Sequence, residues 1–349
     1  MRVSGPAREE VDVKPVRCAV VGVGMMGSSH VQVLEALPEA HLLACCDTDP
    51  GAVERLPGGV PLLTSLEELL GRYQLEAVFV CTPQDQHLPV VEACLAAGLF
   101  VFCEKPIAHN LETADLMIEA AKRAGGRLAV GHTMRFDPDY VALADMVASG
   151  GIGTPVHLSA RRNVPDFEGR MLFNRTTLAA EVGVHDLDLF RWLAGPVERV
   201  FAMSAETSTL GEGAVDAVVG TIRFATGAVG VVEFNWIMNS DSALSADYRL
   251  AVFGTEGAAY VEMRDPVTMV YTLEGPKWLR TGGQYEVGGT ATGIVATEDR
   301  HFLATVRGLR DWPVSLEDAR AALEVALALD RSLATGRPVY VETDRKRVV

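Results

Sequence analysis

The chain has 349 residues, 48% hydrophobic and 22% charged, enough to bury a sizeable core and long enough to favour two domains over one. Its 31 Lys+Arg against 46 Asp+Glu give a formal charge of −15, which repels nucleic-acid phosphates and anionic membrane surfaces and leaves small molecules as the expected partners. No run reaches the ~18 uninterrupted apolar residues of a membrane helix.

Residues 1–15, MRVSGPAREEVDVKP, mix charge with proline, lack the apolar stretch of a secretory signal and read as a flexible tail. From Arg17 to Gly131, short apolar runs (RCAVVGVG, HLLACCD, AVFVCTP, LFVFCEKP, RLAVGHT) alternate with segments of helical periodicity, several ending at glycine. Runs apolar throughout are buried on both faces, so the alternation predicts a parallel sheet between helices, over residues 16–134. Cys18, Cys45, Cys46, Cys81, Cys94 and Cys103 all fall in this stretch without a CxxC pair. That pattern predicts buried, reduced thiols in a cytoplasmic protein, with neither disulfides nor a metal site.

Gly22, Gly24 and Gly27 form GxGxxG after the first predicted strand, with Met25 and Met26 opening the following helix. Such a turn brings backbone N–H groups up to a pyrophosphate. Asp47, twenty residues after Gly27 at the end of the second strand, is placed to accept from ribose hydroxyls and to repel a 2′-phosphate. The expected cofactor is NAD(H) rather than NADP(H), bound by a Rossmann doubly wound α/β domain. Open parallel sheets bind ligands beyond the carboxyl ends of their strands, which directs attention to Thr82-Pro83, Glu104-Lys105-Pro106 and Arg135-Phe136.

After about Gly150 the segments lengthen and alternate, as in TPVHLSARR, VERVFAMSAE, AVVGTIRFATGAVGVVEFNW and YRLAVFGTEGAAYVEM, with FATGAVG and FGTEGAAYVE reading as hairpin connections. This predicts a C-terminal α+β domain over residues 135–312 with a large, mostly antiparallel, open-faced sheet, interrupted by the helix EVGVHDLDLFRWLAG. Residues 313–349 carry a final helix, with Ser as its cap and Gly as its stop, expected to pack back towards the N-terminal domain. The uncovered sheet face predicts a homodimer or homotetramer.

The segments GVGMMGSSH, TPQDQH, CEKPIAHN, GHTMRFDP and VHDLDLFRWLAG together resemble the glucose–fructose oxidoreductase/inositol dehydrogenase family, Gfo/Idh/MocA, over essentially the whole chain. The resemblance implies an NAD(H)-dependent dehydrogenase or ketoreductase acting on a ring hydroxyl or ketone of a sugar or cyclic polyol. In it, Lys105 would bind the reacting oxygen and His185 would exchange its proton. Hydride loss leaves charge on oxygen unless its proton departs in step, so a cation and a proton acceptor both serve there. A lysine at a sheet's carboxyl edge can also be desolvated enough to tune its pKa. Asp188, one turn beyond His185, is expected to hold the imidazole ring or steady the imidazolium. Many inositol dehydrogenase-like members carry an aspartate four residues before the histidine; this chain has Glu181, either a substrate contact or a helix-surface carboxylate.

Thr82, Pro83 and His87 match the segment beside the nicotinamide ribose, with Glu104 nearby, although His87 equally suits a helix cap. Arg135, Arg162 and Trp236 are substrate-binding candidates, whereas Arg161, Asn163 and His301 read more readily as sheet-edge or packing residues, and His30 as packing in the first helix. Two other readings stand beside the dehydrogenase: an NAD-dependent glycosidase working by transient oxidation and elimination, and a noncatalytic dinucleotide-sensing protein.

Overall fold

The computed structural model describes residues 14–207, 209–241, 246–265, 268–272, 275–279, 284–287 and 290–341. Most of the expected tail, residues 1–13, lies outside them. The first half alternates β1 (Val16–Val21), α1 (Met25–Ala36), β2 (Ala40–Cys46), β3 (Leu62–Leu63), α2 (Leu66–Arg72), β4 (Ala77–Val80), α3 (His87–Ala96), β5 (Phe100–Glu104), α4 (Leu111–Arg123) and β6 (Leu128–Gly131). The strands pair in the order β3-β2-β1-β4-β5-β6, all parallel. Every residue of β4 and β6 is buried, as strands covered on both faces require. Strand order reverses between β1 and β4, which opens a crevice at their carboxyl ends, where ligands bind in open sheets of this kind.

A short 3₁₀ turn (Thr133–Phe136) and α5 (Pro138–Ala148) lead into β7 (Pro155–Pro165), α6 (Asp166–Leu172), a π-helical turn (Ala179–Gly183) and α7 (Val184–Ala194). Then come β8 (Val197–Ala205), β9 (Ala217–Phe224), β10 (Val229–Met238), β11 (Ala246–Gly254) and β12 (Ala258–Asp265). The ribbons β13 (Thr268–Thr272) with β14 (Gly275–Leu279) and β15 (Gln284–Val287) with β16 (Thr290–Gly293) precede α8 (Ile294–Val306), α9 (Leu316–Thr335) and β17 (Val339–Tyr340). The second sheet runs β12-β11-β7-β10-β9-β8-β17. Both expected hairpins form: Gly227, at φ +93°, turns β9 into β10, and Gly254 N–H donates to the Gly257 carbonyl between β11 and β12.

One pair departs from the antiparallel pattern. β10 lies parallel to β7, because the β8–β9–β10 meander returns beside a strand that left through α6 and α7. One face of this sheet packs on α7 and α9, with Phe190, Phe234, Trp236 and Leu329 in a common core. The other face leaves Met203, Val219, Val229 and Tyr260 exposed.

α9 is bounded as its sequence predicts: Ser315 Oγ accepts from Asp318 N–H, and Gly336 ends the helix at φ +62°. Its Ala319 and Leu323 enter the core on one face of the first sheet, while Val325, Ala326 and Leu329 enter the core of the second domain. α8, expected within the second domain, instead brings Val295, Ala296, Phe302 and Leu303 against the opposite face of the first sheet. All six thiols are free, and all but Cys81 are buried. No helix among the described residues is long and apolar enough to cross a membrane.

Candidate active site

β1 ends in a cradle that only glycine permits. Gly22 has φ +88°, and a Cβ there would lie 2.7 Å from the Cys81 carbonyl and Thr82 nitrogen at the end of β4. A Cβ on Gly27 would come within 1.8 Å of the Gly22 carbonyl oxygen, so helix and loop touch backbone to backbone. Gly24 faces open space, and no side chain caps the start of α1. Uncapped N–H groups beside open space fit a pyrophosphate, and the residues present therefore suit a dinucleotide. Asp47 braces the loop: its Oδ2 accepts from Val23 N–H (2.7 Å) and its Oδ1 from Asp49 N–H (2.9 Å). Met25 is exposed at the mouth of the cradle, while Met26 packs inward.

At the end of β4, Thr82 Oγ1 is buried without a partner, and Pro83 is exposed. His87 opens α3 without capping it. Its Nε2 lies 2.9 Å from the Thr82 carbonyl and its Nδ1 3.2 Å from that of Ile107, so the buried ring ties together the loops leaving β4 and β5. Burial lowers its pKa, and the neutral ring donates to one of the two carbonyls.

Glu104, at the end of β5, accepts from the Lys105 backbone N–H with Oε2 (3.0 Å) and meets His30 Nε2 with Oε1 (2.9 Å). His30 Nδ1 lies 2.8 Å from Asp299 Oδ1 of α8. Burial would pull this imidazole down, but the two carboxylates hold it well above 6.5, as an imidazolium donating to both. The residue expected merely to pack in α1 thus links that helix, α8 and the strand carrying Lys105.

Lys105 Nζ donates to Glu181 Oε1 (2.6 Å) and to the Glu181 carbonyl (3.0 Å). Glu181 occupies the π-helical turn before α7, an irregularity frequent at functional sites. Burial works against the Lys105 charge, yet Glu181, Glu104 and Glu168 outweigh it and raise the ammonium's pKa. The expectation that desolvation would tune this lysine is corrected: it is a held cation.

His185 is half-buried, with Nδ1 sealed off and unpartnered, which leaves Nε2 on its open edge. Burial, then Lys105, Arg162 and His132, depress its pKa well below 6.5, so it is a neutral ring at neutral pH. Asp188 does not hold it. Both carboxylate oxygens of Asp188 accept from Arg135, at Oδ2 from Nε (2.8 Å) and at Oδ1 from Nη2 (2.7 Å).

The arginine candidates are likewise committed elsewhere. Arg135 sits 5.0 Å over the Trp192 ring in its pair with Asp188, and Arg162 pairs with Asp186 (2.7 and 3.1 Å) beneath Tyr248. Trp236 is 1% exposed and donates its indole N–H to the Val215 carbonyl, so it belongs to the core rather than to a pocket wall. Arg161 bridges Glu233 and Asp247 on the sheet, Asn163 donates to Glu233, and His301 meets the Asp311 carbonyl.

Two site groups escape a reading from sequence. His132, one residue past β6, is fully buried beside Asp188; applying the strand-exit rule to every strand would have found it. Glu168 of α6 has no local signal, and only the tertiary fold carries its hydrogen-bond-free carboxyl towards Lys105 and Glu181. Burial pushes its pKa up to about 7, with Lys105 opposing the rise and Glu181 adding to it. Replacing Glu168 with glutamine is expected to remove an ionisation near pH 7 from the kcat/KM profile. Because the folded pKa of about 7 exceeds the ordinary 4.5, this carboxyl favours folding below 4.5 and loses that advantage as pH rises through 7. E168Q should therefore gain more thermal stability over its parent at pH 8 than at pH 5; an equal difference at both refutes the assignment.

The description "Oxidoreductase family, NAD-binding Rossmann fold" (GFO_IDH_MocA) matches residues 16–132, and "GFO/IDH/MocA C-terminal domain" matches residues 140–260. The myo-inositol 2-dehydrogenase of Thermotoga maritima is 30% identical over 345 residues, covering 94% of this chain and 99% of that protein. The 1,5-anhydro-D-fructose reductase of Ensifer adhaerens is 30% identical over 292 residues, covering 80% and 84%. The solved structure of GenD2 from gentamicin A biosynthesis, in complex with NAD, is 27% identical with a TM-score of 0.81, covering 97% of this chain and 99% of that one. A glycine cradle at the strand-order switch, a second mixed sheet and similarity along nearly the full length agree: the chain belongs to the Gfo/Idh/MocA family of NAD-binding oxidoreductases.

Proposed function

We propose that this protein is an NAD(H)-dependent dehydrogenase or ketoreductase that interconverts a ring hydroxyl and a ketone of a sugar or cyclic polyol. The observation that carries the reading is the Lys105 ammonium just past β5, fixed by Glu181 at 2.6 Å, together with a His185 in the first turn of α7 whose burial favours the neutral ring. Oxidation of a carbinol needs a proton acceptor and a positive charge at one oxygen, and these two groups supply them. His185 Nε2 accepts the hydroxyl proton, while Lys105 Nζ donates a hydrogen bond to the oxygen and offsets its developing charge. Glu181 fixes Lys105 and accepts from a neighbouring substrate hydroxyl. NAD(H), when bound, accepts or returns hydride at C4 of its nicotinamide.

Asp47 supports NAD(H) over NADP(H), since its carboxylate would face a 2′-phosphate. Relatives named for inositols and for an anhydrofructose support a ring substrate. Inositols, aldoses, amino sugars and their keto forms, each tried with both cofactors, test the proposal. Hydride transfer to or from one class, faster with NAD(H), is expected; no transfer to any polyol or sugar while NAD(H) binds would overturn it. The exposed sheet face supports a homodimer or homotetramer, and a monomer in solution scattering at working concentration would refute that. Buried free thiols support a cytoplasmic location.

A further inference from the structure

His30 is fully buried in α1, its ring flanked by Phe79 and Phe102 at centroid distances of 5.5 and 5.1 Å. A phenylalanine would pack in that place. Instead the chain keeps an imidazolium there, between Glu104 Oε1 at 2.9 Å and Asp299 Oδ1 at 2.8 Å, both buried. Ionised groups withdrawn from water are a poor source of stability, because well-packed apolar residues of similar volume often do as well or better. What such a group does supply is direction, since charge-assisted bonds fix the carboxylate they reach.

Glu104 passes that constraint on. Its second oxygen, Oε2, accepts from the Lys105 backbone N–H (3.0 Å), and the Lys105 side chain runs on to Glu181, where Nζ meets Oε1 (2.6 Å) and the carbonyl oxygen (3.0 Å). We propose that His30 is a positioning residue for Lys105: by gripping Glu104 against α8 it fixes the backbone from which the ammonium reaches the reacting oxygen. α1 also opens at the glycine cradle, so the same ring ties the strand that carries Lys105 to the helix whose uncapped N–H groups suit a pyrophosphate. Hydride transfer needs the two ends of the crevice in fixed relation, and a displacement of about 1 Å can cost about 10²-fold in rate.

The other groups around the ring fit this arrangement. Glu298, the neighbouring buried carboxyl of α8, accepts from Thr133 Oγ1 (3.0 Å), and burial holds its pKa well above the ordinary carboxyl range, so it adds no competing anion. Burial opposes ionisation of Glu104 as well, but the bond from His30 and the charges of His30 and Lys105 outweigh it.

This role rests on Lys105 serving the reacting oxygen, and the test keeps the two apart. In the full chain, His30→Phe should lose about 10²-fold in kcat while NADH affinity, read by fluorescence titration, stays near the parent's. Its Lys105 backbone amide should exchange with solvent at least about tenfold faster, relative to the amides of β5, as the bond to Glu104 loosens. A role in stability alone would lower the melting temperature and move neither reading. Glu104→Leu, which removes the link, should show the same losses, and the double variant should turn over no more slowly than Glu104→Leu alone. Glu104→Gln, able to accept from the Lys105 N–H and donate to a neutral His30, should stay within about tenfold of the parent. Parent-like kcat in His30→Phe, an unchanged Lys105 amide, losses that multiply in the double variant, or a glutamine variant no better than the leucine one overturns the proposal. If His30→Phe does not fold, His30→Phe with Asp299→Leu, which removes the α8 carboxylate as well, replaces it with the same expected outcomes. Near-normal turnover in Lys105→Met would instead remove the part given to Lys105 in the reaction, while its amide exchange in His30→Phe would still decide whether His30 holds its backbone.

Discussion

Replacing Lys105 with methionine is expected to reduce kcat by about 10³-fold while leaving NAD(H) affinity near that of the parent. Methionine fills similar volume without charge, so the substitution removes the cation that the proposed mechanism sets at the reacting oxygen, together with its two bonds to Glu181. The proposed cofactor cradle is made by Gly22, Gly24 and Gly27, braced by Asp47, whereas the lysine side chain is bonded to Glu181. NADH fluorescence titration reports binding and steady-state assays report turnover. Near-normal turnover would end the assignment, and lost NADH binding would mean that Lys105 supports the fold rather than the chemistry.

The second large effect falls on stability. Asp188→Ala is expected to cost about 3–5 kcal/mol, because it strands the Arg135 guanidinium in a buried site. Arg135 is 9% exposed and Asp188 is 1% exposed, so neither group has water to replace its partner. Asp188→Leu combined with Arg135→Met should cost less than Asp188→Ala alone, since removing both charges together leaves nothing unpaired. Denaturant unfolding of the parent, single and double variants measures this. A single-variant loss under about 1 kcal/mol, the range of an exposed ion pair, would contradict the buried geometry.

How far this site was legible depends on whether a residue's partner is local. The glycine loop and Asp47 could be read because strand, turn and helix signals lie within one βαβ unit, and the loop's chemistry is that of its backbone. Lys105 and His185 were reached by motif, which names a position but not a protonation state. That Lys105 is held as an ammonium follows from Glu181, 76 residues away in sequence, and no spacing rule joins the two. Arg135, Arg162 and Trp236 looked available because an arginine at a strand exit and a tryptophan on a sheet are the same in sequence whether free or engaged. Their engagements with Asp188, Asp186 and the Val215 carbonyl exist only after chain segments 53, 24 and 21 residues apart have packed. His30 is the extreme case, with one partner 74 residues away and the other 269. The parallel β7–β10 pair was hidden for a different reason: side-chain alternation has the same period in parallel and antiparallel strands, so pairing direction is set by the connections.

The path of α9 bears on how the molecule comes apart. Because one helix supplies Ala319 and Leu323 to the first core and Val325, Ala326 and Leu329 to the second, neither core can lose it without exposing the other. The two halves should melt together, as one calorimetric peak rather than two; resolved peaks would show that the shared helix does not bind them into a single unit. The same tie resists separation of Lys105, carried by the first sheet, from Glu181 and His185, carried by the second domain. The spacing that the proposed chemistry needs is then a property of the resting fold, set before any ligand arrives.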